Sequence, residues 1–394
     1  MLSCETAISH SSFENPRSHK FYEGTLPFGT VRHRVGDAWG FPYNAEPQSD
    51  STPLPDQLKI SDDTQMTLAL TAAMRAIDEG DMDRDEGMET IASQFIAYRR
   101  DPDYQRYPGA SNTESLDRLL EHGPKEWDKV STHSPGSGAV LRSSASAFLG
   151  QGGTGVGWSV LQTTLTHDSC PARAAAAVVA CALLADPGSD LLDVASGLAG
   201  DRHFDEDTIL TDQEKSDIIE DLENALITDL PGPDVPLIEL VNRVIEVRKV
   251  ISPMLANGDF EELYRDAHKF LKILGRGWGA GSATASALLL AQLYLDNAER
   301  YAPQDFLHVA VSWEGNRNSR AALTGALIGA HLGIPAGRQP AITTSDPATT
   351  RRFTPGSGPA SASSFPASRV ARSPGSERHT MGRGVGLAGL GPGR

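Results

Sequence analysis

Cysteine is scarce in this sequence, and the three present, Cys4, Cys170 and Cys181, form no metal-ligand spacing. The last two sit in an alanine-rich stretch of helical character and read as core packing, which fits a reducing cytosol. An export signal is also missing, because M-L-S-C-E-T-A-I-S-H-S-S has no basic region followed by an apolar stretch. No run approaches the about 18 uncharged apolar residues that a membrane helix needs. The expectation is a cytoplasmic protein. Positive charge is in deficit, with 35 Lys and Arg against 51 Asp and Glu and a formal net charge of -16. That balance argues against non-specific attraction to nucleic-acid phosphates or to an anionic membrane, and favours a small-molecule or protein-borne substrate. The HExxH, GxSxG and P-loop patterns do not occur, so the usual nucleophilic and zinc-hydrolase readings lose support.

Strand-like alternation is rare as well. Apolar residues instead recur at three- and four-residue spacing over 64–78, 89–98, 171–185, 212–226, 235–247, 259–274, 280–298 and 320–332, which predicts an all-α protein. Helix starts are signalled by Pro171 two residues after Ser169 and by Thr211 followed by Glu214, and a helix end by Gly275 after Lys272. Residues 1–24 form a polar N-terminal segment. Residues 336–394 are Pro, Ser, Gly, Ala and Arg in no repeating order and turn basic; disorder is expected there, whether as a natural tail or as the product of a reading-frame shift upstream.

Several stretches carry groups suited to chemistry. In S-D-D-T-Q-M-T-L-A-L, Asp62 and Asp63 with Thr64 present hard oxygens ahead of an amphipathic helix, the ligand type of Mg²⁺ or Ca²⁺, while the same residues would also make a helix cap. In T-H-S-P-G-S-G-A-V-L-R, Gly136 and Gly138 lead into a helix start whose backbone N–H groups suit a phosphate, with Arg142 as charge partner; a plain tight loop needs the same residues. V-G-D-A-W-G-F-P-Y-N, 35–44, reads first as a structural turn. G-Q-G-G-T-G at 150–155 has the dinucleotide spelling without a preceding strand, and is expected to be a flexible loop. The acidic run 78–89 puts Glu86 where a calcium loop needs glycine and lacks the closing glutamate, so it reads as a solvated connection between helices. His167 stands alone before the helix start at Pro171, as a structural group or a catalyst. Last, S-W-E-G-N-R-N-S at 312–319 offers two amides after a glycine, where a hard cation more usually meets two carboxylates.

The order of these stretches says more than any one of them. V-G-D-A-W-G-F-P-Y-N, S-D-D-T-Q-M-T-L-A-L, P-G-S-G-A-V-L-R, T-H-D-S-C-P-A-R-A-A-A-A, G-R-G-W-G-A-G-S-A and W-E-G-N-R-N-S-R-A-A-L-T-G-A-L-I-G-A-H-L-G together resemble the ADP-ribosylglycohydrolase family, in its bacterial branch. The resemblance implies one compact all-α domain over 25–335 that removes ADP-ribose from a modified acceptor with a pair of Mg²⁺ ions, Mn²⁺ substituting. ADP-ribose or an ADP-ribosylated acceptor would be the partner, with no direct nucleic-acid or membrane binding. Carried over, Ser61, Asp62, Asp63, Asn316, Asn318 and Ser319 take the metal-ligand positions. Gly136, Ser137, Gly138 and Arg142 line the ADP-ribose cleft with His167 near it, and Asp62, Asp63 and Glu46 are the catalytic candidates.

The departures fall on charge. Asn316 and Asn318 stand where the family has aspartates, and Asn44 stands where it has an acidic residue, with Glu46 two positions on. Glu314 replaces a small residue, and Gly281 and Ser282 replace acidic residues common in one bacterial branch. Asparagine keeps an oxygen of similar reach but removes a negative charge facing a dication. At an effective dielectric near ~20 and a contact of ~2.5 Å, Coulomb's law makes each such charge worth several kcal/mol before desolvation. The alternative function is therefore a catalytically silent ADP-ribose-binding protein.

Overall fold

The computed structural model describes residues 62–101, 108–150, 152–198, 209–230 and 234–332. Along the chain run α1 (Asp62–Gly80), α2 (Arg84–Arg99), α3 (Ala110–His122), two short 3₁₀ turns (Pro124–Lys129 and Val140–Arg142), α4 (Ser143–Gly150), α5 (Gly152–Thr164), α6 (Cys170–Leu184), α7 (Leu191–Gly197) and α8 (Asp212–Asn224). There follow β1 (Leu226–Ile227) and β2 (Val235–Pro236), then α9 (Leu237–Asn257), α10 (Glu262–Arg265), α11 (Ala267–Leu274), α12 (Ala280–Asp296), α13 (Pro303–Ser312) and α14 (Arg317–Leu332). The all-α expectation holds. Among the described residues the only sheet is the antiparallel pair β1 and β2, Leu226 opposite Pro236.

Two alanine-rich helices with no solvent face organise the packing. Every residue of α6 from Ala174 to Leu183 is buried, and every residue of α12 from Ala280 to Tyr294. A helix apolar all round must be covered on all sides. α6 is covered by α4, α5, α8 and α12, and α12 by α9 and α14 as well. Small side chains let these axes approach closely, so the layers between them fill with few large residues. α1 packs on α2 and α4, which brings its N-terminus to the same end of the bundle as that of α14.

Local signals set several ends as expected. Thr211 accepts from the Glu214 N–H while the Glu214 carboxylate accepts from Thr211, a reciprocal cap on α8. Ser169 precedes α6 with its hydroxyl donating to the Ser134 carbonyl rather than capping the helix, Pro171 sits in the first turn, and Gly275 ends α11 at φ 82°. Asp83 and Glu86 form a second reciprocal cap on α2, so the acidic run is helix end, a short connection and helix start.

Other expectations need correction. The G-Q-G-G-T-G stretch is not a loop: Gly150 ends α4 and Gly152 begins α5. Its glycines serve close packing, since a Cβ on Gly155 would lie 2.4 Å from the Ala147 carbonyl oxygen. The single helix expected over 259–274 is two, parted at Asp266, because Asp266 leaves helical backbone geometry at φ -94°, ψ 4°. The helix expected from Val235 starts at Leu237, its first residues being taken by pairing with β1. Helices α3, α5, α7 and α13 carry no expectation from periodicity, and α4 only the helix start after the glycine loop; α4 is mostly Ser and Ala, and four glycines and three threonines dilute the apolar pattern of α5. The turn at 35–44, the segment 1–24 and the run 336–394 lie outside the described residues, as does the outer part of the 25–335 domain.

Candidate functional site

The N-termini of α1 and α14 meet in one floor. Asp62 and Asp63 occupy the first turn of α1, where the helix dipole favours negative charge, and each is 7% exposed. Asp63 Oδ2 accepts from Asn318 Nδ2 at 2.9 Å, joining residues far apart in sequence. Asn316 precedes α14, and its Oδ1 accepts from the Ser319 N–H at 3.4 Å in the manner of an N-cap. Its Nδ2 donates to Ser137 Oγ at 3.1 Å, and Ser137 Oγ lies 3.2 Å from Ser319 Oγ. Gly315 takes φ 102°, and a Cβ there would sit 2.0 Å from the Arg276 carbonyl oxygen, so the residue before the two amides has to be glycine.

Burial raises the Asp62 pKa to about 7, against backbone N–H groups of Gly109, Asp62 and Asp63 and the Asn112 amide, all of which favour the ionised form. Asn112 in turn accepts from Arg142 Nη1 at 3.4 Å. Arg142 has no solvent exposure, and each of its nitrogens donates within the protein: Nε to Gln162 at 3.0 Å, Nη1 also to Met66 Sδ at 3.5 Å, and Nη2 to Thr166 Oγ1 at 2.7 Å. Its guanidinium also stands over the Phe95 ring at 5.1 Å. Burial pushes Arg142 down to about 10, and the charges of Asp63 and Asp62 pull the other way. The structure thus places Arg142 beneath the floor, bracing Asn112 and Thr166.

The glycine loop wraps His167. A Cβ on Gly138 would be 3.1 Å from His167 Cε1, and one on Gly136 3.4 Å from Nε2. His167 Nδ1 lies 2.8 Å from Thr166 Oγ1. That hydroxyl also accepts from Arg142, and in the tautomer in which it donates its own proton to Nδ1, Nε2–H is the donor facing the loop. Burial, and then Arg142, lower the His167 pKa to about 3, so the ring is neutral. In the loop itself, the Gly136 N–H goes to Ser134 Oγ at 3.2 Å and the Ser137 N–H to the Trp278 carbonyl at 3.1 Å. Gly138 is partly exposed and its N–H donates to no protein acceptor among the described residues.

A family model described as ADP-ribosylglycohydrolase matches residues 33–340, more than half of the chain. The chain belongs to the ADP-ribosylglycohydrolase family. No curated protein matches it. Membership places it among proteins acting on ADP-ribosyl groups in general. Of the sequence-predicted site residues, Asp62, Asp63, Ser137, Asn316, Asn318 and Ser319 meet in the floor, and Gly136, Gly138 and His167 form the adjoining wall. Ser61, Glu46 and Asn44 lie outside the described residues. Sequence reading missed Asn112 and Gly109, for which an unremarkable G-A-S-N offers no signal, and Arg320, discussed below.

The donors of the floor can be weighed against a pair of dications. Among the described residues they are two carboxylates, two amides and the hydroxyls of Ser137 and Ser319, with the buried Thr64 hydroxyl lacking a hydrogen-bond partner beside them. The Arg142 charge acts on both carboxylates, so among the described residues at most two negative charges, partly offset by that cation, face the four positive charges of two Mg²⁺ ions. Asn316 spends its oxygen on capping α14. Glu314 offers no substitute, because its carboxylate pairs with Arg276 Nη2 at 2.8 Å. No group of three or more His, Cys, Asp or Glu side chains able to hold a metal occurs among the described residues. The described donors by themselves, without Ser61, Glu46 and Asn44, do not fit two Mg²⁺ or Mn²⁺ ions.

Proposed function

We propose that this chain binds the ADP-ribosyl group, free or on a modified acceptor, and holds it without the hydrolysis that the family's name describes. The observation that carries the reading is the pair Asn316 and Asn318, both tied into hydrogen bonds in a floor whose described carboxylates are Asp62 and Asp63 alone. Recognition needs none of the missing charge. The partly exposed Gly138 N–H and the neutral His167 Nε2–H are donors suited to a diphosphate, and the Asp63 carboxylate and Asn318 amide to ribose hydroxyls. Cleavage does need it. Positive charge builds at the anomeric carbon as the glycosidic bond breaks, and water must be activated, which the family's metals and an acidic residue would assist.

Titration calorimetry of ADP-ribose into the protein, once with Mg²⁺ and once with a chelator, tests this. The expected result is the same affinity in both buffers, with no release of ADP-ribose from modified protein acceptors. Binding that needs Mg²⁺, together with such release, would restore the Mg²⁺-dependent hydrolase reading. No heat in either buffer would remove both.

A further inference from the structure

The wall that carries Gly136–Gly138 does not stand alone. It pairs with Arg276–Ala280: Gly136 bridges Gly279 in antiparallel sense, the Ser137 N–H donates to the Trp278 carbonyl at 3.1 Å, and the Ala280 N–H to the Pro135 carbonyl at 2.8 Å. The segment Gly277–Gly279 is therefore the splint for the phosphate-facing loop. Two glycines at its ends, with Gly277 at φ 80°, give it no stiffness of its own.

What stiffens it comes from elsewhere in the chain. Asp229, just after β1, accepts from the Gly279 N–H at 2.8 Å and from Ser282 Oγ, and Ser282 Oγ accepts from the Gly277 N–H at 3.1 Å. One carboxylate thus holds both ends of the splint at the N-terminus of α12, where the helix dipole favours it. The local sequence has been cut back to admit it. A Cβ on Gly279 would lie 2.7 Å from Asp229 Oδ1, and one on Gly281 would lie 2.4 Å from Ile227 Cδ1. The volume in which residues 279 and 281 would carry side chains is filled by Ile227 and Asp229, so the small residues on α12 and the acid after β1 are one arrangement. We propose that Asp229 is the positioning residue of the ADP-ribose wall: it fixes Gly277–Gly279, and through them Pro135–Gly138. The proposal rests on the ADP-ribosyl reading for the identity of the ligand, but not for the mechanical coupling.

Asp229→Ala and Asp229→Asn separate the two. Hydrogen exchange is followed on the wild type and both variants, and ADP-ribose affinity is measured by calorimetry alongside. Asp229→Ala is expected to speed exchange of the Ser137, Gly279 and Ala280 amides at least about tenfold, leave α6 amides unchanged, and weaken ADP-ribose about tenfold. Asp229→Asn keeps an acceptor for Gly279 and is expected to restore slow exchange and most of the affinity. Unchanged exchange at Ser137 in Asp229→Ala overturns the positioning role, whatever the ligand does. Exchange that rises uniformly through α6 also overturns it, since that marks general destabilisation. Faster exchange at Ser137 alone, in a protein whose wild type takes no ADP-ribose, supports the coupling and removes the ligand reading.

Discussion

Arg142 and Arg320 are both without solvent exposure, yet one is held by side chains beside two carboxylates and the other by four main-chain carbonyls. Arg142 lies under the α1 half of the floor, where Asp62 and Asp63 survive, and its charge has partners. Arg320 lies under the α14 half, where Asn316 and Asn318 stand. It donates to the carbonyls of Ala310 (3.0 Å), Trp313 (3.0 Å), Glu314 (2.9 Å) and Arg276 (3.1 Å), and stands over the Trp313 ring at 5.7 Å. Burial lowers it to about 9, with Arg317 adding repulsion. The first arginine balances charge, and the second shapes a loop. The backbone at 310–316 and Arg276 is gathered around a cation held by main-chain carbonyls alone, with no carboxylate among its hydrogen-bond acceptors.

The sharpest way to break the comparison is to remove each cation. Arg320→Met leaves four carbonyls without their donor and should cost about 4 kcal/mol, read as a lower urea midpoint at unchanged slope. Arg142→Met should cost about 3 kcal/mol, because it strands Asp63 and Asp62. The two should part in a double-mutant cycle. Adding Asp63→Asn is expected to recover about 1 kcal/mol or more of the Arg142→Met loss and nothing of the Arg320→Met loss. Equal recovery in both would show that the two arginines do the same job.

Restoring charge to the eroded half sharpens the contrast from the other side. Asn316→Asp with Asn318→Asp should give a protein that Mg²⁺ stabilises, by about 2–3 kcal/mol at a hundredfold excess over Kd, whereas the wild type should show no Mg²⁺-dependent shift in Tm. A Mg²⁺ shift already present in the wild type would mean that the amides suffice.

A pH-dependent effect concerns His167, which burial and then Arg142 keep neutral down to about pH 3. An unfolded chain takes up this proton below the ordinary value of 6.5, and the folded one does not. Stability is therefore full above that value and falls as pH drops from 6.5 toward 3, by about 1.4 kcal/mol per unit from this residue alone. His167→Gln should flatten the measured slope between pH 4 and 6 by about one proton, even if it lowers stability overall. An unchanged slope would place the proton elsewhere.

Much of this was legible before any coordinates. The 3.6-residue spacing specified an all-α chain, and the family resemblance implied that S-D-D-T-Q and E-G-N-R-N-S share a site. In the fold Asn318 and Asp63 meet in a hydrogen bond of 2.9 Å. Helix α14 starts three residues earlier than periodicity suggested, because Asn316 caps it, and a polar cap adds no apolar signal. Arg142 looked like a ligand for a diphosphate, and only burial showed its nitrogens already engaged.

What the sequence determined by itself is therefore helix content, the capping residues, and amides rather than acids at 316 and 318, all properties of residue type and short spacing. Tertiary structure decided the rest: that Arg142 is buried within the field of Asp62 and Asp63, that Arg320 gathers a loop, and that Asp229 reaches Gly279 across 50 residues. Those roles depend on which side chains share a buried volume, and in a low-dielectric interior a neighbour distant in the chain can set a group's charge and geometry more strongly than its own helix does.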